Sequence, residues 1–124
     1  RTKLADQIIF SEMVTALVKK GQDILNDMTP EQADLLHMGV GVSGESGELL
    51  DAIKKHAIYG KPLDRENVIE ELGDLEFYME RIRQIIGVSR EETIAANMAK
   101  LGKRYSKGTY SNEQAQARAD KVEA

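Results

Sequence analysis

Cysteine and tryptophan are absent from these 124 residues, and proline, phenylalanine and histidine each occur only twice. Without cysteine there is no disulfide, no zinc–thiolate centre and no thiol nucleophile. Two histidines, His37 and His56, leave little for an imidazole-rich transition-metal site. Aromatics at 5% require an aliphatic core, and so few prolines leave long helices uninterrupted. No apolar run reaches about 18 residues, so no segment reads as a membrane-spanning helix. What remains is a chain 41% hydrophobic and 31% charged, of a length that suits one domain. The lack of cysteines and of a targeting segment favours a cytoplasmic location.

The formal charge of −4 conceals a polarity. Residues 31–80 hold twelve acids against four bases, whereas residues 81–124 hold nine bases against five acids. An acidic middle is followed by a basic end.

Apolar spacing predicts a helix over 4–25, with Leu4, Ile8, Val14, Leu17, Val18, Ile24 and Leu25 near one face. Thr29-Pro30 opens a second helix, with Thr as N-cap and Pro at the first helical position, ending before Gly60-Lys61-Pro62. Asp64 caps a third, about 65–86, which Gly87 stops. Ser89, with Glu92 three residues on, starts a fourth that reaches about Tyr105. Residues 107–124 form a polar C-terminal tail, either frayed or a polar helix that needs a partner, after a helical domain over 1–106. No strand, repeat or second domain is indicated. The expected fold is all-α, a four-helix bundle protomer that buries more surface by assembling as a dimer or a dimer of dimers.

Helical phase makes the acids unusual. In the third helix Val68, Leu72, Leu75, Met79, Ile82 and Ile86 form a continuous stripe, with Glu71 about 50° from its centre and Asp74 at the edge of the same arc. In the second helix Glu45 falls among Leu35, Met38, Val42, Leu49, Ala52 and Ile53, with Glu48 on its flank. A single i, i+3 acidic pair is usually a solvated face. Two pairs in inward phase, with Gly44, Gly47 and Gly73 beside them, are not. Four converging carboxylates repel one another and lose hydration unless they are protonated or neutralised, and hard divalent cations such as Mg²⁺ or Mn²⁺ neutralise them. The glycines suggest close approach of a helix or a ligand.

Residues 97–110 contain Lys100, Lys103, Arg104 and Lys107 and no acid, with Asn97, Lys100 and Arg104 on one helical face. Such a patch complements the C-terminal helix dipole, and it also suits phosphate oxygens. It is too short for a footprint along a nucleic-acid duplex. A polyphosphate held between a metal and this patch accounts for both ends of the charge polarity.

The runs Gly44-Glu45-Ser46-Gly47-Glu48-Leu49, Glu70-Glu71-Leu72-Gly73-Asp74 and Asn97-Met98-Ala99-Lys100-Leu101-Gly102-Lys103-Arg104-Tyr105 resemble the MazG-like all-α nucleoside triphosphate pyrophosphohydrolases over roughly residues 30–106. The resemblance implies Mg²⁺-dependent cleavage of a (d)NTP to the monophosphate and pyrophosphate, controlling or sanitising the nucleotide pool. It implies metal ligation by Glu45, Glu48, Glu71 and Asp74, and phosphate contacts by Asn97, Lys100, Arg104 and Tyr105. It further implies homodimers or homotetramers, and a base pocket with Phe10, Leu36, His37, Val40 and Tyr78 as candidates. Some relatives carry an extra Glu directly before the first acid, where this chain has Gly44, so the general base is unassigned and Glu70 is a candidate. A phosphoribosyl-ATP pyrophosphatase-like enzyme and a non-catalytic dimerisation module with a structural metal are the alternatives.

Overall fold

The computed structural model describes residues 3–121, with side-chain surroundings given from Ile9 onward. The described residues are helical and contain no strand: α1 (Lys3–Leu17), α2 (Gly21–Asp27), α3 (Pro30–Ala57), α4 (Arg65–Ile86), α5 (Arg90–Arg104), α6 (Asn112–Ala117) and a 3₁₀ turn at Ala119–Lys121. The all-α expectation holds, but there are more helices than the four expected.

The chain divides into two compact units, Arg1–Asp34 and Leu35–Ala124. In the first unit, the single helix expected over 4–25 is two. Lys20 takes an extended conformation (φ −72°, ψ 142°), and Gly21, a weak helix former, opens α2. The stripe members Leu4 and Ile8 lie outside the side chains described, while Val14, Leu17, Val18, Ile24 and Leu25 are exposed. The unit ends in the first turn of α3, closed as expected. Gln32 N donates to Thr29 Oγ1 at 3.1 Å, and Thr29 N donates to Gln32 Oε1 at 2.9 Å. That is a reciprocal capping box with Gln as the returning side chain.

In the second unit α3 and α4 run antiparallel. The Tyr78 ring lies on Gly41, Glu45 meets Glu71 and Asp74, and Asp51 and Asn67 line the same cleft. The connection over 58–64 turns at Gly60 (φ 68°), and His56 Nδ1 donates to the Lys61 carbonyl at 2.8 Å. Asp64 caps α4 by accepting from Asn67 N at 3.1 Å. Gly87, left-handed at φ 77°, ends α4 with a hydrogen bond from Val88 N to Arg83 O. Ser89 accepts from Glu92 N at 3.0 Å and starts α5. The ends of α4 and the start of α5 stand within a residue of their sequence signals, while α3 stops at Ala57, three residues before Gly60.

The interior is sparse. Ala52 and Glu71 are the buried residues among those described. In the α4 stripe Val68, Leu75, Met79 and Ile82 are half-buried, but Leu72 and Ile86 are exposed. The stripe is right in phase and only partly covered by the described residues.

The polar end of the chain is not bare. α6 is capped by Ser111, which accepts from Gln114 N at 3.0 Å, and Arg118 ends it in the left-handed region (φ 49°). Both α6 and the 3₁₀ turn pack on α5.

Candidate active site

The α3–α4 pairing brings three carboxylates together. Glu45 from α3 and Glu71 and Asp74 from α4 place one oxygen each within 4.8 Å of one another. Opposite oxygens around a Mg²⁺ ion lie about 4.2 Å apart, so this spread needs little contraction to grip one cation. Glu71 is 7% exposed, Glu45 is half-buried and Asp74 is exposed. Asp74 therefore reaches the cluster from the rim, as its place at the edge of the apolar arc suggests. Its i, i+3 spacing from Glu71 turns it toward the helix flank while its carboxylate still converges.

One oxygen of Glu45 and one of Glu71 are buried without a hydrogen-bond partner. Buried anionic oxygens left unpaired are costly, so the cluster is incomplete as a purely protein structure. The Glu71 pKa is pushed up to about 7, first by its hydrogen bond with Glu45, then by burial and by repulsion from Glu48 and Glu45. Without a cation, Glu71 keeps its proton to near neutrality. An all-oxygen donor set with unpaired buried oxygens fits a hard divalent ion and not a soft one.

Glu48 is exposed and lies outside the three-oxygen cluster, but it acts electrostatically on Glu71 and lines the same cleft. That cleft, about 490 Å³, is bounded by Gly44, Gly47, Glu48, Asp51, Asn67 and Glu71. A Cβ added at Gly44, Gly47 or Gly73 would meet nothing within 4 Å. The close helix approach expected at these glycines is not found among the described residues. It occurs at Gly41, where a Cβ would overlap Cδ1, Cε1 and Cζ of Tyr78. Tyr78, a base-pocket candidate, is half-buried there and packs edge-on to Phe77 at 5.3 Å between centroids.

The other expected site residues are placed elsewhere. Glu70 is exposed and borders neither the cluster nor the cleft. His37 is exposed on α3, and Phe10 is exposed on α1 of the first unit. Asn97 and Lys100 are exposed on α5. Arg104 is bound by Asp120, donating from Nε to Oδ1 at 2.8 Å and from Nη2 to Oδ2 at 3.2 Å. Tyr105 packs against Tyr110 at 5.7 Å. Asp120 was not among the expected site residues. A lone Asp in a Gln- and Ala-rich tail carries no local signal, and only the fold-back of α6 makes it a partner.

Neither the curated proteins nor the solved structures yield a match. A family model does: that of the MazG nucleotide pyrophosphohydrolase domain matches residues 34–109. The match spans α3, α4 and α5, and it includes both acidic pairs and the basic segment. With more than half of its length covered, the chain belongs to the MazG nucleotide pyrophosphohydrolase domain family.

Proposed function

We propose that this chain hydrolyses a nucleoside triphosphate to the monophosphate and pyrophosphate with a divalent cation, Mg²⁺ or Mn²⁺, at the α3–α4 carboxylates. The observation that carries this reading is the cluster of Glu45, Glu71 and Asp74, with two buried oxygens lacking partners, inside a nucleotide pyrophosphohydrolase domain. Glu45, Glu71 and Asp74 hold the cation, with Glu48 at its open side. When bound, the cation neutralises polyphosphate charge and acidifies a coordinated water.

The chain's own groups do the rest. The open cleft beside Gly44 and Gly47 admits the polyphosphate. Asn97 and Lys100, exposed on α5, supply neutral and cationic donors to its oxygens, and Arg104 supplies a guanidinium. The protomer also leaves Val40, Leu50, Ile69, Leu72, Phe77 and Met98 exposed, Phe77 at 67% and Met98 at 68%. So many large apolar side chains on one small unit support self-association as a homodimer or a dimer of dimers. Such an enzyme would act on the nucleotide pool.

The test is pyrophosphate release from a panel of ribo- and deoxyribonucleoside triphosphates with and without Mg²⁺. Glu71→Gln and Asp74→Asn are expected to lower turnover by at least about 100-fold, since even partners of metal ligands cost 10–100-fold. Turnover that is indifferent to both the cation and these substitutions would sink the reading. Cation binding without turnover on any nucleotide would favour a non-catalytic module.

A further inference from the structure

Arg104 is not a free cation, and the manner of its pairing is informative. Asp120 takes the Nε–H and one Nη2–H, a side-on, two-bonded grip. Only 3% of the Asp120 side chain and 18% of the Arg104 side chain is exposed. The helix α6, which precedes the turn that carries Asp120, is polar, Asn-Glu-Gln-Ala-Gln-Ala, and its docking is correspondingly polar. Gln114 Nε2 donates to Ser106 Oγ at 3.2 Å, and the Tyr105–Tyr110 contact closes the loop between. The family match ends at residue 109, so Asp120 lies beyond the shared domain.

A carboxylate on a phosphate-binding arginine can do one of two things. It can compete with the phosphate, or it can hold the guanidinium for it. Guanidinium has five N–H groups, and the grip of Asp120 uses two. Both N–H groups of Nη1 and the second of Nη2 lie outside that grip, with the Tyr105 side chain as a further hydrogen-bonding neighbour of the guanidinium. Displacing Asp120 would strand a nearly fully buried carboxylate without its cation, which is strongly destabilising. Approach to the remaining edge leaves the Asp120 pair intact and displaces at most the Tyr105 hydroxyl, which can turn to solvent or to the phosphate. We propose that Asp120 is a positioning residue, clamping the Nε edge of Arg104 so that the Nη1 edge is presented to a substrate phosphate. Asp120 is then part of the substrate site, although the helix before it is not, and Arg104 donates as an oriented fork rather than as a mobile charge. This rests on the reading of Arg104 as a phosphate ligand.

The experiment combines steady-state pyrophosphate release with calorimetric binding of inorganic tripolyphosphate, which contains no base or sugar. Asp120→Asn removes the charge and one of the two acceptors. It is expected to raise KM and the tripolyphosphate Kd about tenfold, the scale of one charge-assisted hydrogen bond, with kcat within about twofold. Asp120→Glu keeps the charge but displaces it by a methylene, and gives a smaller rise in both. Ser111→Ala loosens the α6 cap without touching the pair and leaves both constants unchanged, whereas a merely structural role for the segment would move them as Asp120→Asn does. If Asp120→Asn does not fold, the rise in Asp120→Glu against an unmoved Ser111→Ala decides. Tighter tripolyphosphate binding in Asp120→Asn would mean competition and overturn the proposal. An unchanged Kd in Asp120→Asn alongside weakened binding in Arg104→Ala would also overturn it. Unchanged binding in Arg104→Ala would instead remove the phosphate reading of Arg104 itself.

Discussion

Glu71, on α4 against α3, and Asp120, in the turn after α6, are both nearly buried carboxylates of the second unit, but their surroundings are opposite. Glu71 faces Glu45 and Glu48, and its pKa is pushed up to about 7. Asp120 faces Arg104, whose hydrogen bonds hold it below the ordinary carboxylate range. One group is completed within the chain, and the other is left with an unpaired buried oxygen. A chain able to partner one buried acid with a cation of its own supplies none at Glu71 among the described residues. The difference marks the α3–α4 cluster as the place where something outside the chain is needed.

The sharpest way to break that comparison is to remove each acid and measure the melting of the cation-free protein. Asp120→Ala strands a buried guanidinium and is expected to lower Tm by many degrees. Arg104→Ala should do the same, and the double variant should lose much less than the two losses added. Glu71→Gln relieves like-charge repulsion and is expected to raise Tm at pH 7.5 while abolishing turnover. A lower Tm in Glu71→Gln would mean that the cluster is an internally satisfied structural network, and the contrast would collapse. Added Mg²⁺ should raise the Tm of the wild type and leave that of Glu71→Gln nearly unmoved.

How much of this was written in the sequence depends on how local each signal is. Thr29, Asp64, Gly87 and Ser89 act within one helical turn, and all four set the boundaries expected of them. The phase of Glu71 was legible for the same reason, since 100° per residue against an apolar stripe needs no tertiary knowledge. The break at Lys20 was missed because apolar spacing continues across it, although Gly21 was the available signal. The open space at Gly44 and Gly47 depends on how far apart α3 and α4 stand. Tyr78 on Gly41 sets that spacing, and no periodicity encodes it. The Arg104–Asp120 pair was illegible because sixteen residues and a chain reversal separate its members.

A smaller effect follows from pH. The Glu71 pKa is raised from 4.5 to about 7 in the folded cation-free chain, so that state binds more protons than the unfolded one. The associated stability is fully present below pH 4.5 and is lost as pH rises through about 7. The Asp120 contribution has the opposite sign: it is present above its unfolded value of 3.8 and lost as pH falls through its lower folded value. Denaturant titrations of wild type and Glu71→Gln between pH 4 and 8 should therefore diverge, the wild type losing stability with rising pH relative to the variant. Parallel curves would show that Glu71 does not carry the cluster's proton. Glu45 is the first cause of the raised Glu71 pKa, so Glu45→Gln should flatten the wild-type slope as well.

The smallest expected effect asks whether the open face beside the acids is used. Gly44 sits inside α3, where glycine is less favourable than alanine by about 1 kcal/mol, and a Cβ there meets nothing within 4 Å. Gly41→Ala, by contrast, forces Tyr78 aside and should cost about 1–3 kcal/mol, as overpacking does. If the protomer were complete, Gly44→Ala would stabilise it by about 1 kcal/mol and change nothing else. If a second chain or a bound polyphosphate fills the cleft, the same methyl occupies space that the partner needs. The gain in denaturant stability should then persist for the dilute, ligand-free protein and reverse as chain or tripolyphosphate concentration rises. A gain that survives at every concentration would mean that Gly44 faces only solvent, and the oxygens of Glu45 and Glu71 would then have to be completed from the Asp74 side.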